Sequence, residues 1–138
     1  MRYLGIDPGG KRLGLALGDD VTGLVTPLEV VAYESRDQAV RHIAAVMESF
    51  GAEGVVIGLP TNAEGAPTPG CARTHALAAA LEAFGIEVAV QNEYLTTNEA
   101  RRRARSSARH SSQPVDDIAA QVILEEYFEG REAHGEQR

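Results

Sequence analysis

The sequence predicts an α/β domain: a five-stranded mixed sheet, three antiparallel meander strands followed by two parallel ones, with helices on both faces. Three observations predict it. Two short apolar runs flank a glycine-rich turn at the start of the chain, the pattern of a hairpin. From residue 37 onward, helical periodicity alternates with short β-branched runs, as when crossover helices join parallel strands. No repeat and no linker-like stretch interrupts the chain, so residues 1–130 are expected to form one domain, and residues 131–138 a polar tail that frays.

Each element follows from local pattern. Tyr3-Leu4-Gly5-Ile6 and the alternating Leu13-Gly14-Leu15-Ala16-Leu17 read as the first two strands. After the turn residues Gly18-Asp19-Asp20, the apolar, β-branched stretch from Leu24 to Val31 supplies the third. Ala39, Val40, Ile43, Ala44, Val46, Met47 and Phe50 recur at helical spacing, so a helix is expected over 37–50, stopped at Gly51. Gly54 to Pro60 is a continuous apolar run closed by proline, suited to a strand buried on both faces. A loop rich in Gly, Pro, Thr and Asn runs from Thr61 to Pro69. The alanine-rich segment 72–84 reads as a second helix ending at Gly85, and 86–91 as the fifth strand. Thr96 or Thr97 caps an expected helix over 98–105, Ser106 to Pro114 breaks it, and a last helix is expected over 115–128.

Composition narrows the function. The chain has 138 residues and 43% hydrophobic content, enough for one substantial core and too little for two lobes closing over a cleft. Cys71 is the single cysteine, which excludes an internal disulfide framework. No apolar run approaches the roughly 20 residues of a bilayer span, and no signal-peptide pattern opens the chain. A soluble, cytoplasmic protein with no membrane partner is expected. The net charge of −7 argues against a polyanionic partner, but Arg101, Arg102, Arg103, Arg105 and Arg109, with His110, fall in a stretch without acids. A basic groove can coexist with an acidic total.

Asp7 begins the functional argument. It ends a buried strand and precedes Pro8-Gly9-Gly10-Lys11-Arg12, where glycines let backbone approach a phosphate or an ion. Glu93 follows the fifth strand, so both acids belong to the sheet edge where α/β folds carry their working residues. On the last helix, Asp116 lies four residues before Ala120 and seven before Ile123, on the stripe facing the sheet, whereas Asp117 is turned by about 100°. Asp116 is the better ligand candidate and Asp117 the alternative. Three converging carboxylates need a cation, and hard oxygen donors favour Mg²⁺ or Mn²⁺. Two such ions are the apparatus of phosphodiester hydrolysis.

Taken singly, each acid has a plainer reading: Asp7 as a turn residue, Glu93 as a solvated strand end, Asp116 as a helix-start acid. The arginine stretch would on its own read as a solvated helix face, but its place between Glu93 and Asp116 favours phosphate contact. Cys71 reads as a spectator, and His42, His75, His110 and His134 are weak ligand candidates. Two other function classes stay open on the residues. One is an ATP-binding protein of the actin-like or sugar-kinase type, using the Asp7-glycine hairpin for phosphate; the hairpin nearly fits phosphate-loop spacing, but Arg12 stands where Ser or Thr is needed. The other is a catalytically idle nucleic-acid-binding module.

A resemblance sharpens the choice. The segments Leu4 to Ala16, Val56 to Pro60, Asn92 to Thr97 and Val115 to Leu124, in that order, resemble the YqgF/RuvX family. Its members have a ribonuclease H-like fold and are described as Holliday junction resolvases and as nucleases maturing the 5′ end of 16S ribosomal RNA. The resemblance implies that Asp7, Glu93 and Asp116 are the metal-binding catalytic acids. It aligns Lys11 and Arg12 with the family's basic hairpin pair, and residues 62–65, including Asn62, with the loop after the fourth strand. These, with Thr96, Thr97 and the arginine stretch, are the expected nucleic-acid contacts. The chain departs from the family's Asp-Glu-Arg-Leu-Thr-Thr, reading Asn92-Glu93-Tyr94-Leu95-Thr96-Thr97. The glutamate is kept; the lost arginine leaves phosphate contact to the 101–109 run, or base stacking to Tyr94. Precursor rRNA and branched DNA both remain as substrates, the latter best cut by a homodimer, for which no interface is legible.

Overall fold

A strand buried on both faces, β1 (Arg2–Pro8), is the middle of the molecule. The structure is a computed structural model and describes residues 1–8, 11–59, 70–92 and 116–133. Beside β1 run β2 (Arg12–Asp19) and β4 (Gly54–Leu59); β3 (Val25–Ala32) and β5 (Glu87–Asn92) are the edges, giving the order β3-β2-β1-β4-β5. The β1–β2 and β2–β3 pairs are antiparallel, while β1–β4 and β4–β5 are parallel. The expected mixed sheet is therefore present, with three meander strands and two parallel ones.

Two helices cover one face. In α1 (Arg36–Phe50), the Ser35 side chain accepts from the Gln38 backbone N–H at 3.1 Å, and Gln38 Oε1 accepts from the Glu34 N–H at 2.7 Å, a reciprocal pair that fixes the helix start. Gly51 ends it at φ 69°, its N–H donating to the Met47 carbonyl, a left-handed stop that glycine adopts without strain. The helix buries Ala39, Val40, Ile43, Val46 and Met47. With Leu77, Ala78 and Leu81 of α2 (Gly70–Ala83), these pack on Leu4, Ile6, Leu13, Leu15, Val55 and Ile57.

The opposite face is covered by α3 (Asp116–Ala133). Ala120, Ile123 and Leu124 pack on Tyr3, Ala16 and Val56, so helices lie on both faces as expected. This helix reaches Ala133, past the expected end at Phe128 and three residues into the stretch assigned to a frayed tail. Tyr127 and Phe128 meet the Tyr3 ring edge-on at 5.8 and 5.7 Å between centroids, an apolar anchor that holds this part of the helix on the sheet. The expected helix over 98–105, the breaker at 106–114, the loop at 61–69, the hairpin glycines 9 and 10 and residues 134–138 lie outside the described residues.

Candidate active site

Alternation along the strands decides which side chains share a face. Leu4 and Ile6 belong to the α1/α2 core and Tyr3 to the α3 core, so Gly5 and Asp7 also face α3. Antiparallel partners face the same way; hence Gly14, paired with Asp7, and Gly18, paired with Tyr3, lie on this face too. Position 12 has the parity of Gly14, so Arg12, exposed at the start of β2, projects from the face that carries Asp7. Lys11 precedes β2 in a bend, exposed, with its carbonyl accepting from the Tyr33 N–H at 3.1 Å.

Asp7 is 8% exposed. Among the described residues the buried polar or charged side chains are Asp7 and Thr74, and a carboxylate at such depth is costly unless positive charge or donors compensate it. Its borders are bare backbone. On one side stands Gly14; on the other, Gly58 follows Ile57, the β4 partner of Ile6. Neither flanking position carries a side chain.

The position of α3 relative to Asp7 follows from its contacts. A Cβ built on Gly5 would lie 2.6 Å from Leu124 Cγ and 2.8 Å from the Ala120 carbonyl oxygen, and one on Gly18 would lie 2.9 Å from Phe128 Cε2. The helix thus rests directly on strand glycines. Tyr3 meets Tyr127 and Phe128 while Gly5 meets Ala120 and Leu124, so strand and helix run in opposite directions. From Gly5 to Asp7 the strand advances about 6.6 Å, which at about 1.5 Å per residue is roughly four helical residues. Asp7 therefore stands level with the first turn of α3, which begins at Asp116.

The fifth strand ends at the same edge. Ile6, Ile57 and Val90 are in register across β1, β4 and β5, and β5 ends two residues later at Asn92. Of the candidate residues, Asp7, Lys11 and Arg12 are described in full; Asp116 and Asp117 are described by their place in the backbone of α3. Glu93, Asn62, Thr96, Thr97, Arg101, Arg102, Arg103, Arg105 and Arg109 lie outside the described residues. Among the described residues no three His, Cys, Asp or Glu side chains form a metal-holding group. Cys71 is a buried cysteine on α2, in no disulfide, in the layer across the sheet from Asp7. His42 Nε2 lies 3.1 Å from Glu29 Oε2, an exposed contact between α1 and β3.

One contributor escapes the sequence reading. The small Ala120 lets the last helix come close to the sheet, and the strands contribute as well, since Gly5 and Gly18 provide the seat. The signal is visible in hindsight as small residues at every second position, Gly14, Ala16 and Gly18.

A family model described as RuvX, Holliday junction resolvase, matches residues 1–130. The chain belongs to that family. A RuvX-like relative from Anaeromyxobacter sp. (strain Fw109-5), named "Putative pre-16S rRNA nuclease", is 40% identical over 137 residues, spanning 96% of this chain and 100% of the relative. A protein of the same name from Geobacillus kaustophilus is 31% identical over 137 residues, spanning 95% of this chain and 99% of the relative. Among solved structures, T. thermophilus RuvC in complex with Holliday junction substrate is similar with a TM-score of 0.61 at 18% identity, covering 96% of both chains. The fowlpox virus Holliday junction resolvase gives 0.58 at 16% identity, covering 94% of this chain and 99% of that one. At these identities the structural similarity speaks for the fold, which is ribonuclease H-like. RuvX membership places the chain in a nuclease and resolvase family and does not favour the ATP-binding or idle-module readings.

Proposed function

We propose that this chain is a divalent-metal-dependent nuclease that hydrolyses phosphodiester bonds in structured nucleic acid, with Asp7, Glu93 and Asp116 as its metal-holding acids. The observation that carries the reading is the setting of Asp7: a buried carboxylate, bordered by glycine backbone and level with the first turn of α3. Position 116 lies on the helical stripe of the buried Ala120 and Ile123, which favours Asp116 over Asp117. Glu93 follows the last residue of β5, and covalent geometry tethers its Cα about 3.8 Å from that of Asn92.

The donor set fits a hard cation. Carboxylate oxygens suit Mg²⁺ or Mn²⁺, and the neighbours of Asp7 across the sheet, Gly14 and Gly58, add no competing side chain. When bound, two such ions lower the pKa of the attacking water and stabilise the leaving oxygen. The chain's own part is positioning. The central strand fixes the Asp7 carboxylate, the N-terminus of α3 favours negative charge, and Arg12, on the same face, can donate to a phosphate oxygen. Asn62, Thr96, Thr97 and the arginines from 101 to 109 complete the nucleic-acid contacts in this reading, in a cytoplasmic protein that works as a single domain over residues 1–130.

Two substrates follow from the names of the relatives: precursor 16S rRNA trimmed at its 5′ end, and the four-way DNA junction. Symmetric incision of a junction calls for two copies of the chain, so a homodimer belongs to the second substrate. Asp7→Asn tests the chemistry. It is expected to leave the fold intact, read by circular dichroism, and to abolish Mn²⁺-dependent cleavage of both a precursor-rRNA leader and a four-way junction at matched salt. Cleavage retained by the folded variant would remove Asp7 from the mechanism, and the faster of the two wild-type reactions identifies the substrate.

A further inference from the structure

The net charge of −7 is unevenly placed. Asp19, Asp20, Glu48, Glu53, Glu82 and Glu87 lie at the end of the sheet away from Asp7. They occupy the β2–β3 turn, the last turn of α1, the entry to β4, the end of α2 and the start of β5. The register supports the grouping: Asp19 pairs with Arg2 at the start of β1, the Glu53 N–H donates to the Arg2 carbonyl, and Glu87 is level with Gly54.

Among the described side chains the exposed, unengaged cations lie the other way. Arg2 donates to the Phe50 carbonyl at 2.8 Å, and Arg41 pairs with Asp37 on α1, so both are engaged within the fold. Among the described residues Lys11, Arg12, Arg36 and Arg73 are exposed and without an ion-pair partner, and all four lie at the Asp7 end. Arg12 pairs with Ala32, the Lys11 carbonyl accepts from Tyr33, and Arg36 follows three residues later as the first residue of α1. Arg73 is in the first turn of α2, whose other end leads into β5 at the acidic end. Among the described residues the acids that share the Asp7 end are Asp7, Glu34, the helix-start pair Asp116 and Asp117, and Asp37, which Arg41 engages; Glu93, which follows β5, lies outside them.

We propose that Arg36 and Arg73 bind backbone phosphates flanking the scissile one, so that nucleic acid leaves the site across the starts of α1 and α2. The acidic far end repels the polyanion and confines its footprint to this rim. The inference rests on the nuclease reading for which phosphate is cut, and on charge placement alone for the path. Unpaired cations on an otherwise acidic surface are where counterions are released when a phosphate backbone docks.

The test is the salt dependence of binding, measured by anisotropy of a fluorescein-labelled four-way DNA junction in EDTA, so that no cleavage intervenes. For the Arg36→Ala/Arg73→Ala variant, folded by circular dichroism, the slope of log K against log [NaCl] is expected to shallow by roughly 2, about 0.9 for each phosphate that is no longer neutralised. Arg41→Gln, which removes a cation already engaged by Asp37, is expected to keep the wild-type slope. An unchanged slope in the double variant, or an equally shallow one in Arg41→Gln, overturns the proposal. Wild-type cleavage in Mn²⁺ is scored apart: tight binding without cleavage refutes the nuclease reading, whereas cleavage with an unmoved slope refutes this interface alone.

Discussion

Gly5→Ala probes how the site is assembled, because it loads the contact between the central strand and the helix that carries Asp116. The new methyl carbon would start 2.6 Å from Leu124 Cγ and 2.8 Å from the Ala120 carbonyl oxygen, against an ordinary contact of about 3.5–4.0 Å. Leu124 can change rotamer. The Ala120 carbonyl belongs to the helix backbone, so α3 must lift from β1 by something on the order of 0.5–1 Å. Overpacking of this kind costs about 1–3 kcal/mol. Replacing glycine in an extended strand returns roughly 0.4–1 kcal/mol by stiffening the unfolded chain, which leaves a net loss of about 1–2 kcal/mol. Function should suffer more, since displacing a positioned group by ~1 Å can cost on the order of 10²-fold in rate. Urea unfolding gives the first quantity, and single-turnover cleavage at a temperature where the variant is folded gives the second. Wild-type stability would refute the glycine seat. A destabilised variant with full activity would refute the placement of the first turn of α3 in the site.

Three further substitutions and titrations test separate parts of the structure. Gly130 lies within α3 with nothing within 4 Å of a built Cβ, so Gly130→Ala is expected to stabilise by roughly 0.5–1 kcal/mol; a drop in stability would show that the helix does not continue past it. Ser35→Ala removes the cap on α1 and is expected to cost about 1 kcal/mol, read as a shift in urea midpoint with unchanged cleavage rate. At the far turn, the Val21 backbone N–H donates to the Asp19 carboxylate at 2.8 Å, and this bond, more than any other interaction, holds the Asp19 pKa below its ordinary value. A lowered folded-state pKa means stability present above about pH 3.9 and lost as pH falls through the folded value. Carboxyl NMR titration of Asp19 should therefore give a midpoint below the ordinary aspartate range, and a midpoint at or above it would refute the turn geometry.

What the sequence makes legible is whatever depends on local period. The two-residue alternation of Leu13 to Leu17 and the helical spacing from Ala39 to Met47 each specify an element and the face it buries, and Gly51 supplies a stop whose left-handed φ the structure bears out. Crossover logic then orders the strands. The partners across layers are harder to read, because contacts between distant segments leave no periodic trace in either one. Tyr3 gives no hint that Tyr127 and Phe128, at the other end of the chain, will meet its ring. Gly5 reads as a weak strand residue until Ala120 is seen above it. The setting of Asp7 is half legible: strand and turn chemistry place it at a sheet edge, whereas its glycine borders require the β4 register.

The placement of charge follows from the same topology. Four of the five strands, β1, β3, β4 and β5, point the same way, so the junction from β3 into α1 and the end of β5 both fall at the Asp7 end, as do the starts of α2 and α3. Residues at that edge are fixed by backbone on both sides yet contribute little to either core, where the large buried side chains are Leu4, Ile6, Leu13, Leu15, Ile43, Ile57, Leu81, Ile123 and Leu124. Charged groups can therefore be concentrated there without desolvating the interior. Helix N-termini at this edge add partial positive charge, which favours a phosphate backbone, while the surplus of acids accumulates at the other end, where helices finish and the β2–β3 turn lies. An acidic protein can in this way offer a polyanion one favourable face. On that account, neutralising Glu48 and Glu82 to Gln should leave cleavage at the Asp7 end unchanged and strengthen sequence-independent binding at low salt; unchanged low-salt affinity would mean that the far end exerts no field on the ligand.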